Sequence, residues 1–163
     1  KTTILNALKA PDAEVESREP TRDLLVESMT CRTHTKVFTF DSWSLGGRGK
    51  FRPLWRHWYH TTNALIFVVD LTDRERLDRV QEALWQMLEE EELMGVPLLV
   101  FGNKEDLEGA MDVPEVVEKL GLHNLRQRAW YIVKTCALSR AGLIEGLEWL
   151  ERHARKPDDA APK

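Results

Sequence analysis

The chain is poor in the residues that would staple it together. Two cysteines, Cys31 and Cys136, are spread over 163 residues. They lie far apart beside apolar or β-type residues, and no metal-ligand spacing surrounds either one. Both therefore read as reduced thiols of a cytosolic protein, with no disulfide framework. No apolar run approaches the ~18 residues that cross a bilayer. The opening residues lack the charged-then-apolar pattern of a secretory signal. Positive charge is not in excess either. The 23 Lys and Arg are outnumbered by 27 Asp and Glu, for a net charge of −4. That balance gives no electrostatic footprint for nucleic acid. An initiator Met is missing too: the chain opens Lys1-Thr2-Thr3-Ile4-Leu5, inside a helical pattern, so residues upstream are expected.

What remains is enough for a core. Hydrophobic residues make up 42% of the chain, and 163 residues suit one domain. Residues 1–155 read as that domain and 156–163 as a disordered tail. Ile4, Leu5 and Leu8 share one face of a helix over 2–9. Residues 24–31 and 37–43 read as an antiparallel hairpin. Gly46-Gly47 breaks the chain, and the aromatic-rich stretch 51–60 reads as a short helix. Residues 64–70 are an uninterrupted apolar run ending in Asp70, the pattern of a strand buried on both faces. A long amphipathic helix is expected over 74–92, then a strand over 98–102. A short helix over 114–120, a strand over 130–135 and a helix over 142–155 follow. This order predicts a doubly wound α/β domain, with a mostly parallel sheet and one antiparallel edge strand. Ligands of such sheets bind at the carboxyl ends of the strands.

Asn103-Lys104-Glu105-Asp106 falls at such an end. The Asp106 carboxylate can accept two hydrogen bonds, from the N1–H and exocyclic amine of a guanine. Adenine has no such donor pair and would leave the charge unpaired. The Lys104 stem can lie over a base, and the Asn103 amide can tie neighbouring loops together. Taken alone, a polar strand–helix loop spells the same four residues. Lys1-Thr2-Thr3 has the form of the end of a phosphate loop. There Lys1 would reach the β- and γ-phosphates and the Thr2 hydroxyl would ligate Mg²⁺. Thr135-Cys136-Ala137 ends a strand, and the Ala137 N–H could donate to the guanine O6.

Together these motifs resemble the ADP-ribosylation factor (Arf) and Arf-like small GTPases. The resemblance is carried by Gly46-Gly47 with Arg52-Pro53-Leu54-Trp55-Arg56-His57, by Ile66-Phe67-Val68-Val69-Asp70 with Asp73-Arg74-Glu75-Arg76, and by Asn103-Lys104-Glu105-Asp106-Leu107. Lys119-Leu120-Gly121-Leu122, Trp130-Tyr131-Ile132, Thr135-Cys136-Ala137 and Glu145-Gly146-Leu147-Glu148-Trp149-Leu150 extend it. It implies a P-loop GTPase fold that binds GTP or GDP with Mg²⁺ and acts as a switch in vesicle traffic. Lys1, Thr2, Thr3, Gly47, Asn103, Lys104, Asp106, Cys136 and Ala137 would contact the nucleotide, and Thr2 and Thr21 the metal. Exchange factors, activating proteins and effectors would meet the switch regions, with the helix around Trp55, Trp58 and Tyr59 as effector surface or as simple packing. The setting would be cytoplasmic or peripheral on Golgi or other endomembranes. Membrane association would require an anchor upstream of Lys1.

The phosphate side departs from the family pattern. Asp-x-Gly-Gly-Gln is replaced by Ser44-Leu45-Gly46-Gly47-Arg48. Ser44 brings no charge to steady Mg²⁺. Arg48, at the position of the catalytic glutamine, has only donors and cannot accept a hydrogen bond from the attacking water. As an arginine finger it could instead stabilise negative charge. Arg22-Asp23-Leu24 replaces a small residue, Gly and Phe after Pro20-Thr21, putting a negative charge near the γ-phosphate. The first strand and the glycine-rich half of the phosphate loop do not precede Lys1. In the family that strand pairs with the 64–70 strand, which is therefore expected to lose a partner and apolar cover. The reading is a GTPase with impaired hydrolysis. The alternative is a pseudo-GTPase that serves as a protein-interaction module.

Overall fold

The computed structural model describes residues 1–9, 25–32, 37–44, 56 and 59–155. The elements in chain order are α1 (Thr2–Lys9), β1 (Leu25–Arg32), β2 (Val37–Ser44), β3 (Leu65–Asp70), α2 (Leu77–Leu88), β4 (Leu98–Asn103), α3 (Val113–Leu120), β5 (Trp130–Thr135) and α4 (Leu143–His153). The strands β3, β4 and β5 form a parallel sheet in that spatial order. Their registers run in step, from Leu65 opposite Leu98 opposite Trp130 to Asp70 opposite Asn103 opposite Thr135. All three carboxyl ends therefore finish on one edge. The expected hairpin is present: β1 and β2 pair antiparallel, from Leu25 with Ser44 to Arg32 with Val37. Among the described residues they form a sheet of their own.

The period-two alternation of β4 explains the two helical layers. Leu98 and Val100 point to one face and pack with Leu84, Met87 and Leu88 of α2 and Val116 and Leu120 of α3. Leu99 and Phe101 point to the other and pack with Ile4, Ala7 and Leu8 of α1 and Leu143 and Leu147 of α4. Leu98 to Phe101 are each 0% exposed. At ~1.5–3 kcal/mol per fully buried side chain, this one strand anchors both layers. Helix α4 approaches closely because Gly146 has no side chain; a Cβ there would collide with the Phe101 ring.

Two expectations are corrected. The apolar run at 65–70 is not buried on both faces. In β3 only Val69 is buried, and Leu65 to Val68 keep partial exposure. Among the described residues it pairs with β4 on one side alone, which agrees with the expected loss of a partner and apolar cover. The helix expected over 74–92 is also broken up. A 3-10 turn, Arg74–Arg76, precedes α2, and a second, Glu91–Leu93, follows it. The Asp73 side chain accepts from the Arg76 N–H and fixes the first break. Glu90 takes an extended conformation at the second, where four consecutive glutamates crowd the negative end of the helix dipole. Helix α3 starts on an Asp112 cap, whose carboxylate accepts from the Glu115 N–H at 2.9 Å, and stops at Gly121 with φ 67°. No helix among the described residues is long and apolar enough to cross a membrane.

Candidate functional site

The carboxyl edge of the parallel sheet brings three loops together. Asn103 is the centre of the junction. Its Oδ1 accepts from the Ala137 N–H at 3.1 Å and from the Thr135 hydroxyl at 3.3 Å. The Glu105 N–H adds a backbone bond to the Thr135 carbonyl at 3.2 Å. Thr135 is completely buried, and its hydroxyl also lies 3.4 Å from the Gly102 carbonyl. Asn103 thus ties the loop after β4 to the loop after β5, as its residue type and place suggested. Cys136 and Ala137 are each 4% exposed. The Cys136 N–H donates to the Ala141 carbonyl at 3.2 Å and its sulfur receives the Ser139 N–H at 3.5 Å, which closes the second loop on itself.

One expectation changes in detail. The Ala137 N–H, read as free for a guanine O6, is engaged by Asn103. A base carbonyl would have to share that donor with the Asn103 side chain. Asp106 is different. It is exposed, and its carboxylate accepts no hydrogen bond from any described residue. Among the described residues, neither oxygen has a protein competitor.

Backbone strain falls on these same loops. Among the described residues, Lys104 (φ 70°) and Arg140 (φ 66°) are the non-glycine residues in the left-handed region. That conformation costs a residue with a Cβ roughly 1–2 kcal/mol. Contacts offset it in both cases. The Lys104 Nζ lies 2.5 Å from Asp70 Oδ2, and its carbonyl accepts from the Leu107 N–H at 3.2 Å. The Arg140 Nε donates to the Ala7 carbonyl of α1 at 3.2 Å. On the far side of the 104–112 loop, Arg74 grips both Glu115 oxygens at 3.0 Å and the Gly109 carbonyl at 2.5 Å.

Asp70 ends β3 beside this junction. Its Oδ1 accepts from both the Thr72 N–H at 3.0 Å and the Thr72 hydroxyl at 2.7 Å. Desolvation pushes its pKa up, but the hydrogen bonds from Lys104 and Thr72 together outweigh it and hold the carboxyl below its usual range. Sequence reasoning missed Asp70, Thr72 and Arg140. An Asp two residues before a Thr is a local turn signal that could have found the first pair. Arg140 and Ala7 are 133 residues apart, and no local pattern joins them.

The phosphate half is described in part. Lys1 and Thr2 stand at the start of α1, where the Lys1 carbonyl accepts from the Leu5 N–H at 3.1 Å. Lys1 lies on the surface, yet the protein packed around its ammonium lowers its pKa by desolvation. Thr3 follows in the first turn and is partly buried. Thr21, Gly47, Arg48, the Ser44 side chain, the Arg22-Asp23-Leu24 segment and the 156–163 tail lie outside the described residues. So do Trp55 and Trp58, but Tyr59 is 6% exposed and packs into the core beside α2 and α3. Burial, then the nearby Glu90, pushes its phenol up to about 12. For Tyr59 the packing role holds, not the effector-facing one.

The residues fit a guanine nucleotide at the base end, where an open carboxylate stands beside two interlocked loops. Their fit to Mg²⁺ is narrower. Among the described residues no cluster of three or more His, Cys, Asp or Glu could hold a metal. Mg²⁺ bound through one hydroxyl, waters and nucleotide phosphates needs no such cluster.

Comparison with known proteins agrees with this geometry. A sequence model described as the ADP-ribosylation factor family matches residues 1–154. Among solved structures, the chain is similar to the Arl6 BBS3 small GTPase from Trypanosoma brucei with bound nucleotide analogue GppNp. The identity is 34%, the TM-score 0.81, and the match covers 93% of this chain and 88% of the other. The chain belongs to the ADP-ribosylation factor family of GTP-binding small GTPases.

Proposed function

We propose that the protein binds guanine nucleotides as a molecular switch in vesicle traffic, with impaired intrinsic hydrolysis. The observation that carries the binding half is the open Asp106 carboxylate beside the Asn103 junction. Asp106 would take the N1–H and amine of guanine, and the Lys104 stem would cover one face of the base. Lys1, Thr2 and Thr3 would face the phosphates. Mg²⁺, held by Thr2 and Thr21, would supply charge neutralisation there. Gly47 would sense the γ-phosphate, and the switch regions would meet exchange factors, activating proteins and effectors. Impaired hydrolysis is read from Ser44 and Arg48, which replace an acid and a glutamine. The solved relative that resembles this chain carries GppNp, a nucleotide analogue.

The test is calorimetric titration of the intact gene product with GDP and with ADP. Tight GDP binding and no detectable ADP binding are expected. Asp106→Asn should weaken GDP by at least about a hundredfold, since it replaces a charged acceptor of two hydrogen bonds with a neutral amide. Equal affinity for the two nucleotides would overturn the proposal. The replaced switch residues also favour a second reading, a pseudo-GTPase interaction module. Co-purified GDP or GTP would exclude it.

A further inference from the structure

We propose that Asp70 is a positioning residue of the guanine site, holding the Lys104 ammonium so that the lysine stem forms a fixed ledge for the base. The inference rests on the guanine-nucleotide reading above.

The geometry divides the Asp70 carboxylate between two tasks. Oδ1 takes both donors of Thr72, at 3.0 and 2.7 Å, which stops the group from turning. Oδ2 is left for Lys104, whose Nζ lies 2.5 Å away. An ordinary surface pair joins two mobile side chains and holds neither. Here one partner is already fixed by its own turn, so the lysine must come to it. Asp70 sits opposite Asn103 in the parallel register. The Lys104 side chain therefore crosses from the end of β4 to the end of β3, and its methylene stem lies along the sheet edge. A stem anchored at both ends presents a flat apolar strip, the shape that a purine face can lie on.

The same link bears on the loop. Lys104 has φ 70°, a conformation that a residue with a Cβ disfavours. Its backbone precedes Glu105, bonded to Thr135, and Asp106 lies two residues on. Anchoring the side chain helps hold the turn that aims Asp106. The backbone strain and the shared carboxylate are independent observations that meet at one residue.

The experiment is a double-mutant cycle on the intact gene product, read as GDP and ADP affinity by calorimetry, with melting temperatures as a folding control. The variants are Asp70→Asn, Lys104→Ala, the double variant and Thr72→Val. Asp70→Asn should raise the GDP Kd about fivefold, the upper end for a partly exposed ion pair. Thr72→Val should raise it about threefold, by freeing the carboxylate to turn. Adding Asp70→Asn to Lys104→Ala should change the Kd less than about twofold, because the aspartate acts through the lysine. A merely structural role would make the two losses multiply. Wild-type affinity in Asp70→Asn, or a double loss equal to the product of the single losses, would overturn the inference. Should Asp70→Asn fail to fold, an unchanged Kd in Thr72→Val would overturn it. Failure of wild type to prefer GDP over ADP would overturn the guanine reading first, and this inference with it.

Discussion

The strands β3 and β4 are neighbours of equal length and similar composition, yet the fold treats them differently. Leu-Ile-Phe-Val-Val-Asp and Leu-Leu-Val-Phe-Gly-Asn both read as apolar runs with a polar end. In β4, Leu98 to Gly102 are buried; in β3 only Val69 is. The cause is position. β4 has a strand on each side and helices on both faces, whereas β3 pairs with β4 alone among the described residues. Apolar composition therefore says that a strand belongs in a sheet, and the neighbours decide how much of it leaves water. The polar ends differ less. Asp70 and Asn103 face each other in register and both become joints of the same site.

The sharpest way to break this comparison uses Ile66 and Leu99, which are register partners on the same face. Leu99→Ala should cost about 3–4 kcal/mol, the range for a buried leucine whose cavity cannot collapse. Ile66→Ala should cost about 1–2 kcal/mol, because the side chain is already partly in water. Urea unfolding of both variants measures the difference. Equal losses would mean that the free side of β3 is covered in solution. Occupation of that side by another strand would also raise the Ile66→Ala cost toward that of Leu99→Ala, so the ratio reports the state of the edge.

A smaller effect tests the helical cover that β4 enjoys. Asp112 caps α3, which packs on the Leu98 and Val100 face through Val116 and Leu120. Asp112→Ala should destabilise the fold by about 1 kcal/mol, and Asp112→Asn or Asp112→Ser by a few tenths. Thermal unfolding of the three variants would show the order. A loss as large in Asp112→Ser as in Asp112→Ala would remove the cap from the account.

The same comparison shows what could be read in advance. The ends of β4, α3 and β5 were legible within one or two residues, because Pro97, Asp112, Gly121 and the apolar runs mark them locally. That Asn103 ties neighbouring loops was legible too, but its partners were not: the Ala137 N–H, read as free for a base, is one of them. The residues of β3 match those of a central strand, and its loss of cover was expected from the family resemblance rather than from the apolar run itself. The early stop of α2 was missed because Glu89 to Glu92 carry no breaker residue that marks an end; the break shows only in the extended backbone of Glu90. The Asp70–Lys104 and Arg140–Ala7 links depend on register and loop conformation rather than on spacing in the chain.

The smallest predicted effect concerns how β3 is joined to β4 beyond the backbone ladder. Asp70 and Lys104 bridge the two strand ends with side chains 30% and 47% exposed, so solvent screens the pair and its worth is below ~1 kcal/mol. The sign follows from the Asp70 carboxyl being held below its ordinary value in the folded state. Its contribution is present above the ordinary carboxylate range and is lost as the pH falls through that range to the lowered folded value. Other carboxylates titrate over the same window, so wild type alone cannot isolate it. The difference in unfolding free energy between wild type and Asp70→Asn can, because the shared titrations cancel. That difference should be largest near neutral pH and shrink as the solution is acidified. A gap that does not change with pH would show that Asp70 ties β3 to β4 through the neutral hydrogen bonds of Thr72 and not through its charge on Lys104.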